Sequence, residues 1–274
     1  MIGSTLARVL NKNKNLNIIG IGRKALKKES VQFNYLQYPD LLFENSIGDL
    51  FKNFKPDVII NCAGLTKHLS ECQNSNKAVE VNSLIPKNLS SYCKINNCKL
   101  IHISTDCVFD GAKGNYSEDD LPNAKDIYGI SKSLGESIYH HNLVIRTSTI
   151  GHEINTKHGL LEWFISQNSY CTGYRNAYFS GITTLELAYL INDFILKKIN
   201  LIGLFNVSSE KISKYELLSK INEIYKLKKK IIISDQQKID RSLNSYKFNR
   251  VFGYYPNSWD KMIVSMYKDW CHKY

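Results

Sequence analysis

Four short apolar runs punctuate the chain: Asn17–Ile21 within NLNIIGIG, Val58–Ile60 in PDVIINCAG, Leu100–Ile103 in KLIHIS and Leu143–Ile145 in NLVIRTS. Each is apolar at consecutive positions rather than at alternate ones. That pattern predicts strands covered on both faces, as in a parallel sheet. Between the runs the apolar period changes to that of a helix. Ile2, Leu6, Val9 and Leu10 form one stripe; Ile47–Phe54 and Ala78–Cys93 behave alike, the latter interrupted by Pro86; Tyr128–Tyr139 follows the third run. Strand and helix alternating at these intervals predict an α/β doubly wound parallel sheet, with ligands at the carboxyl ends of the strands. After about residue 150 the rhythm changes. Aromatic and polar stretches precede helices expected at Thr184–Lys197, Lys214–Tyr225 and Lys261–Trp270. Residues 1–150 are therefore expected to form the main domain, and 151–274 a smaller mixed portion packed against or interleaved with it.

Composition narrows the classes. Of 274 residues, 43% are hydrophobic and 22% charged, which excludes disorder as the main state. No run approaches the roughly 20 apolar residues of a membrane span, and MIGSTLARVL lacks the basic start and cleavage site of a signal peptide. The net charge of +11 is dispersed, with only Lys226–Lys230 dense, and no zinc-finger or RNA-binding signature accompanies it. That run is expected to be a solvated helix end, and no nucleic-acid partner is expected. Seven scattered cysteines without a CxxC pair point to a reducing, cytoplasmic setting without structural zinc.

The candidate chemistry lies in two neighbouring segments. Tyr128 and Lys132 stand at i and i+4, on one helix face. A phenol titrates near 10, and a nearby ammonium favours its ionised form, making it a usable acid or base. Upstream, the third run ends in Ser104-Thr105-Asp106, where a hydroxyl at a strand end can meet a substrate carbonyl. At the end of the second run, Asn61, Ala63 and Gly64 make a small-residue turn that a flat ligand can approach. Asn82 is expected to bind backbone. Arg146, flanked by apolar residues, calls for a partner, a carboxylate inside the fold ahead of a substrate.

These motifs together, PDVIINCAG, VNSLIPKNL, ISTDCVFDGAKGNYSEDD, YGISKSLGE and RTSTIG, resemble the extended short-chain dehydrogenase/reductases, and among them the dTDP-4-dehydrorhamnose reductase group. The resemblance covers roughly residues 56–151 and continues more weakly through FSGITTLELA, GLFNVSS and RSLNSYKF. It implies a Rossmann-like fold and reduction of a 4-keto sugar carried on a nucleotide, for surface polysaccharide synthesis. Tyr128 then matches the acid that protonates the alkoxide. Lys132 matches the residue that lowers the phenol's pKa and binds the nicotinamide ribose. Thr105 matches the hydroxyl that orients the carbonyl, with Ser104 the alternative, and Asp106 is substrate-facing or turn-capping. Arg23, with Lys24 beside it, stands where NAD-preferring relatives carry an acid, and so favours NADPH, with NADH the alternative. Arg175, in GYRNAYFSGITT, is the candidate for the nucleotide diphosphate; Lys67 and His68 are candidate pocket residues.

The match stops at the amino terminus. Gly3 corresponds to the third glycine of the family's phosphate loop, and the first strand and first two glycines have no counterpart, about ten residues in all. A longer native start is the favoured expectation. Two other readings stay open: a nucleotide-sugar epimerase or N-acetylated keto-sugar reductase, and a non-catalytic regulatory or binding subunit. The resemblance also leaves room for a homodimer, in some members with a divalent metal at the contact, for which the chain gives no independent support.

Overall fold

The consecutive apolar residues of the third and fourth runs become the centre of a parallel sheet. In the computed structural model, which describes residues 1–23, 25, 33–38, 41, 44–66, 70–154 and 156–272, β3 (Val58–Asn61), β4 (Lys99–Ser104), β5 (Leu143–Arg146) and β10 (Gly203–Asn206) lie in the order β10-β5-β4-β3, all parallel. A second parallel pair, β1 (Ile19–Gly22) and β2 (Asn34–Gln37), forms its own two-stranded sheet among the described residues. The first run thus starts two residues later than expected. β5 is buried throughout and β4 nearly so, whereas the isoleucines of β1 and β3 are half-buried.

Side chains alternate across the four-stranded sheet, and each set meets a different helical layer. Ile101, Ile103, Leu143, Ile145 and Phe205 join one core with α1 (Ile2–Leu10), α7 (Thr184–Leu190) and α10 (Trp259–Cys271). Leu100, Val144 and Leu204 join the other with α2 (Glu44–Phe54) and α4 (Ile85–Ile95). On this second face the strands end in polar residues: Asn61, Ser104, Arg146 and Asn206, the last three in direct register. A polar row at the carboxyl ends is what positions the site.

Pro86 does not interrupt its helix. α3 (Ser75–Val79) runs through a wide π turn, Glu80–Leu84, into α4, with Pro86 in the first turn of α4. Proline has no N–H to give the carbonyl of residue 82. That stretch is where α5 (Ile127–Gly135) comes closest: a Cβ on Gly135 would lie 2.2 Å from the Asn82 carbonyl oxygen. The glycine permits the contact.

Beyond residue 150 the chain is richer in strands than its sequence suggests. β6 (Thr149–Ile150) pairs with β9 (Ile182–Thr183), and β7 (Tyr170–Tyr174), which follows α6 (Leu160–Ser166), pairs with β12 (Lys230–Ser234). β8 (Ala177–Phe179) pairs with β11 (Ile212–Ser213) and β13 (Ile239–Asp240). α8 (Lys214–Ile224) and α9 (Tyr246–Phe252) complete this portion. β10, after residue 200, returns to the main sheet, and α1, α7 and α10 share one core. No helix among the described residues is long and apolar enough to cross a membrane.

Candidate active site

The site forms where the end of β4 meets the first turns of α5. Asp126 caps α5, accepting the Gly129 amide at 2.8 Å, which sets Tyr128 in the first turn and Lys132 one turn on. Thr105 follows β4 in extended backbone; its hydroxyl accepts the Cys107 amide at 3.1 Å and donates to Asp106 at 3.2 Å. The phenol of Tyr128 lies beside this same hydroxyl. Gly129 lets the two segments close: a Cβ there would lie 2.2 Å from the Cys107 carbonyl oxygen.

Lys132 is buried and donates to the Ile103 carbonyl at 2.8 Å. Burial lowers its pKa to about 8, opposed by the charges of Glu136 and Cys62. The expected effect on Tyr128 is not what the geometry produces. Burial and then the Cys107 thiol lift the phenol well above its usual range; the Thr105 hydroxyl opposes this, and Asp106 and Cys72 add to the rise. Lys132 is turned to the Ile103 carbonyl instead. Tyr128 is therefore protonated at neutral pH, the form that can give a proton to an alkoxide.

The turn after β3 forms the adjoining wall. Asn61 Oδ1 accepts the Ala63 amide at 3.0 Å, so its Nδ2 must be the group 3.0 Å from His102 Nδ1. His102 then accepts at Nδ1 and carries its proton on Nε2, and burial followed by the Lys132 charge keeps it neutral, well below its usual pKa. Asn82 takes the Leu65 amide at 2.9 Å and donates to the Leu65 carbonyl at 3.2 Å and to Ser131 at 3.0 Å, the structural role expected. Gly64 keeps the floor low. A Cβ there would lie 3.3 Å from Asn82 Oδ1 and 4.0 Å from Lys132 Nζ, and one on Gly3 would lie 3.6 Å from Cys62 Cβ. Gly64 thus lies close to Lys132, and Gly3 close to Cys62.

Three expected substrate ligands have other engagements. Ser104 is buried and its hydroxyl donates to Glu136 at 2.5 Å. Asp106 accepts from Thr105, so it orients that hydroxyl. Arg175 lies in the exposed turn between β7 and β8, where Asp235 binds it at 3.0 and 2.6 Å and raises its pKa. Arg146 has the buried carboxylate expected of it, Glu136, bound through Nε and Nη2. Arg23 follows β1 and is exposed. Lys24, Lys67 and His68 lie outside the described residues.

One residue was not anticipated. Arg241, in the RSLNSYKF stretch, donates to the Phe109 carbonyl at 2.7 Å and points Nη1 at Cys107 Sγ from 3.9 Å. It lines an open groove of about 480 Å³ with Lys125, Asp126 and Lys238, two residues from Tyr128 along the chain. The available signal was a basic residue inside a recognisable motif, without a strand or helix to give it direction.

The fold and this constellation define an extended short-chain dehydrogenase/reductase architecture. The chain belongs to the family described as RmlD substrate binding domain, whose model matches residues 1–271. It is 28% identical over 144 residues to methionine adenosyltransferase 2 subunit beta of Bos taurus, covering 52% of this chain and 41% of that protein. It is 28% identical over 152 residues to dTDP-4-dehydrorhamnose reductase of Aggregatibacter actinomycetemcomitans, covering 54% and 47%. The chain spans under half the length of both curated relatives. A crystal structure of a hypothetical dTDP-4-dehydrorhamnose reductase from Sulfolobus tokodaii superposes with a TM-score of 0.77 at 28% identity, covering 94% of each chain.

Proposed function

We propose that this protein is an NADPH-dependent reductase of a nucleotide-linked 4-keto-6-deoxy sugar, acting in the cytoplasm on precursors of a surface polysaccharide. The observation that carries the reading is the meeting of the end of β4 with α5, where Gly129 closes on the Cys107 carbonyl and Lys132 donates to the Ile103 carbonyl at 2.8 Å, so that Thr105, Tyr128 and Lys132 share one place. Tyr128 can give its proton to a carbonyl oxygen as that oxygen becomes an alkoxide, and Thr105 can add a second hydrogen bond once its hydroxyl turns from Asp106, 3.2 Å away, to the same oxygen. NADPH supplies the hydride when bound. Lys132, close to Gly64, holds the ribose next to the nicotinamide. α1, which begins at Ile2 beside Gly3 without a side-chain cap, offers its first amides to the pyrophosphate. Arg23 suits the 2′-phosphate at the end of β1.

The substrate side falls to residues 151–274 together with the loop after β4. Lys125, Lys238 and Arg241 are better placed for the nucleotide's phosphates than Arg175, which Asp235 already holds. The likeness to methionine adenosyltransferase 2 subunit beta favours a second reading, a binding subunit without catalysis. Thr105, Tyr128 and Lys132 in one cluster favour the enzyme.

Nicotinamide fluorescence titration, followed by assay with a nucleotide-4-keto-6-deoxy sugar, separates the readings. A reductase binds NADPH and consumes it as the sugar disappears. An epimerase returns its cofactor unchanged. Binding without turnover of any keto sugar would favour the subunit.

A further inference from the structure

Three successive residues at the end of β4 each meet a different part of α5 and its continuation. The Ile103 carbonyl takes Lys132 Nζ at 2.8 Å, Ser104 Oγ donates to Glu136 at 2.5 Å, and Thr105 meets Tyr128. Glu136 is buried, one turn beyond Lys132, and its two oxygens also accept Arg146 Nε at 3.0 and 3.1 Å and Nη2 at 2.7 Å. Arg146 stands on β5 in register with Ser104. Its guanidinium also lies over the Phe109 ring, 5.0 Å from the centroid. The cluster therefore touches both ends of the loop that carries Thr105: Ser104 immediately before it and Phe109 after it.

We propose that Ser104, Glu136 and Arg146 form a positioning clasp that fixes the end of β4 against α5, and through it the separation of the Thr105 and Tyr128 hydroxyls, without any of the three touching substrate. This rests on the reductase reading of Tyr128. A serine has one hydroxyl proton, and Ser104 gives it to Glu136, so it has none for a sugar carbonyl. Glu136 has its oxygens filled by donors from two strands, which locks the carboxylate in place. Gly135, its neighbour, sits against the Asn82 backbone, so this turn of α5 cannot slide to compensate for a lost contact. Two hydroxyls that must converge on one oxygen tolerate little error; a displacement of about 1 Å can cost on the order of 100-fold in rate.

The test compares wild type, Ser104→Ala and Ser104→Thr in NADPH oxidation with the nucleotide keto sugar and in NADPH titration. Ser104→Ala keeps the Glu136–Arg146 pair, so the fold is not asked to bury a lone charge. The clasp predicts a fall in kcat of about 10-fold or more, with both KM values and the NADPH dissociation constant within about twofold. Ser104→Thr, which restores the hydroxyl, should recover kcat to within about threefold of wild type. A raised KM for the sugar with kcat intact would show that Ser104 touches substrate, and an unchanged kcat would reduce the cluster to a structural ion pair; either overturns the proposal. Hydrogen exchange at the Cys107 amide, which Thr105 Oγ1 accepts at 3.1 Å, reads the same displacement without catalysis. Ser104→Ala should speed that exchange about 10-fold and Ser104→Thr should reverse it. A wild type that reduces no keto sugar sinks the reductase reading alone, whereas exchange unchanged in Ser104→Ala sinks the clasp.

Discussion

At the end of β4, Thr105, Tyr128 and Lys132 are each held by other parts of the protein: Asp106 and the Cys107 amide on the threonine, Thr105 on the phenol, Ile103 on the ammonium. At the end of β1, Arg23 stands exposed on a two-stranded sheet in which β1 is half-buried and β2 mostly exposed. The first region is preorganised by burial and by contacts among neighbouring elements. The second, among the described residues, presents the charge of Arg23 to solvent. On the proposed reading, the difference separates two tasks. Proton transfer needs fixed geometry, while choosing between two cofactors needs only one well-placed cation that an arriving phosphate can order.

The contrast is sharpest at Tyr128. Tyr128→Phe keeps the ring in its site and removes the proton donor, so kcat should fall by roughly 10²–10⁴-fold while NADPH binding is unchanged. Steady-state rates and fluorescence titration check this together; retained turnover would remove Tyr128 from the chemistry.

Lys132 should show the cost of preorganisation. It titrates at about 8 in the fold against 10.5 when free. Below 8 the folded state carries a buried ammonium, and between 8 and 10.5 the unfolded chain binds a proton that the folded state does not. Stability therefore rises with pH through that window. Lys132→Met abolishes this dependence. At about 1.4 kcal/mol per pH unit, its gain at pH 7 is bounded by about 3 kcal/mol, less the lost Ile103 hydrogen bond, and it disappears near pH 10.5. Urea unfolding at pH 7 and at high pH measures it. A variant less stable than wild type at pH 7 would contradict the burial argument.

Gly129→Ala forces a Cβ toward the Cys107 carbonyl and the Ala124 side chain, and should cost about 1–3 kcal/mol of stability along with a lower kcat. Thermal unfolding and steady-state kinetics read both effects. Arg23→Ser should do least: no change in unfolding midpoint, and about 10-fold off the preference for NADPH over NADH in kcat/KM. An unchanged preference would take the 2′-phosphate away from Arg23.

Much of the sheet was legible because its strands are continuous apolar runs, and α1 kept its stripe over Ile2–Leu10. The strands after residue 150 were not. β7 alternates exposed and buried positions within an aromatic, polar stretch, and β11 and β13 are two residues each, too short for any period to register. The dense lysine run proved to link α8 to β12. Lys226 and Lys228 have positive φ, and Lys229 is tied to the Ile165 carbonyl at 2.8 Å. At the site, residue types and spacing pointed to Thr105, Tyr128 and Lys132. They give no direction for side chains, so nothing in the sequence shows that Glu136 holds Ser104 or that Asp235 holds Arg175. Arg241 escaped for the same reason: its place depends on β13 and on the loop after β4 coming together, a contact between distant segments.

The most direct test of the central claim follows the hydride itself. The protein is supplied with NADPH deuterated at the transferring position and a nucleotide-4-keto-6-deoxy sugar, and the product sugar is weighed by mass spectrometry. The account predicts one deuterium in each sugar formed and one NADPH consumed with it. Sugar converted without deuterium and without loss of NADPH, or not converted while NADPH is bound, would contradict it.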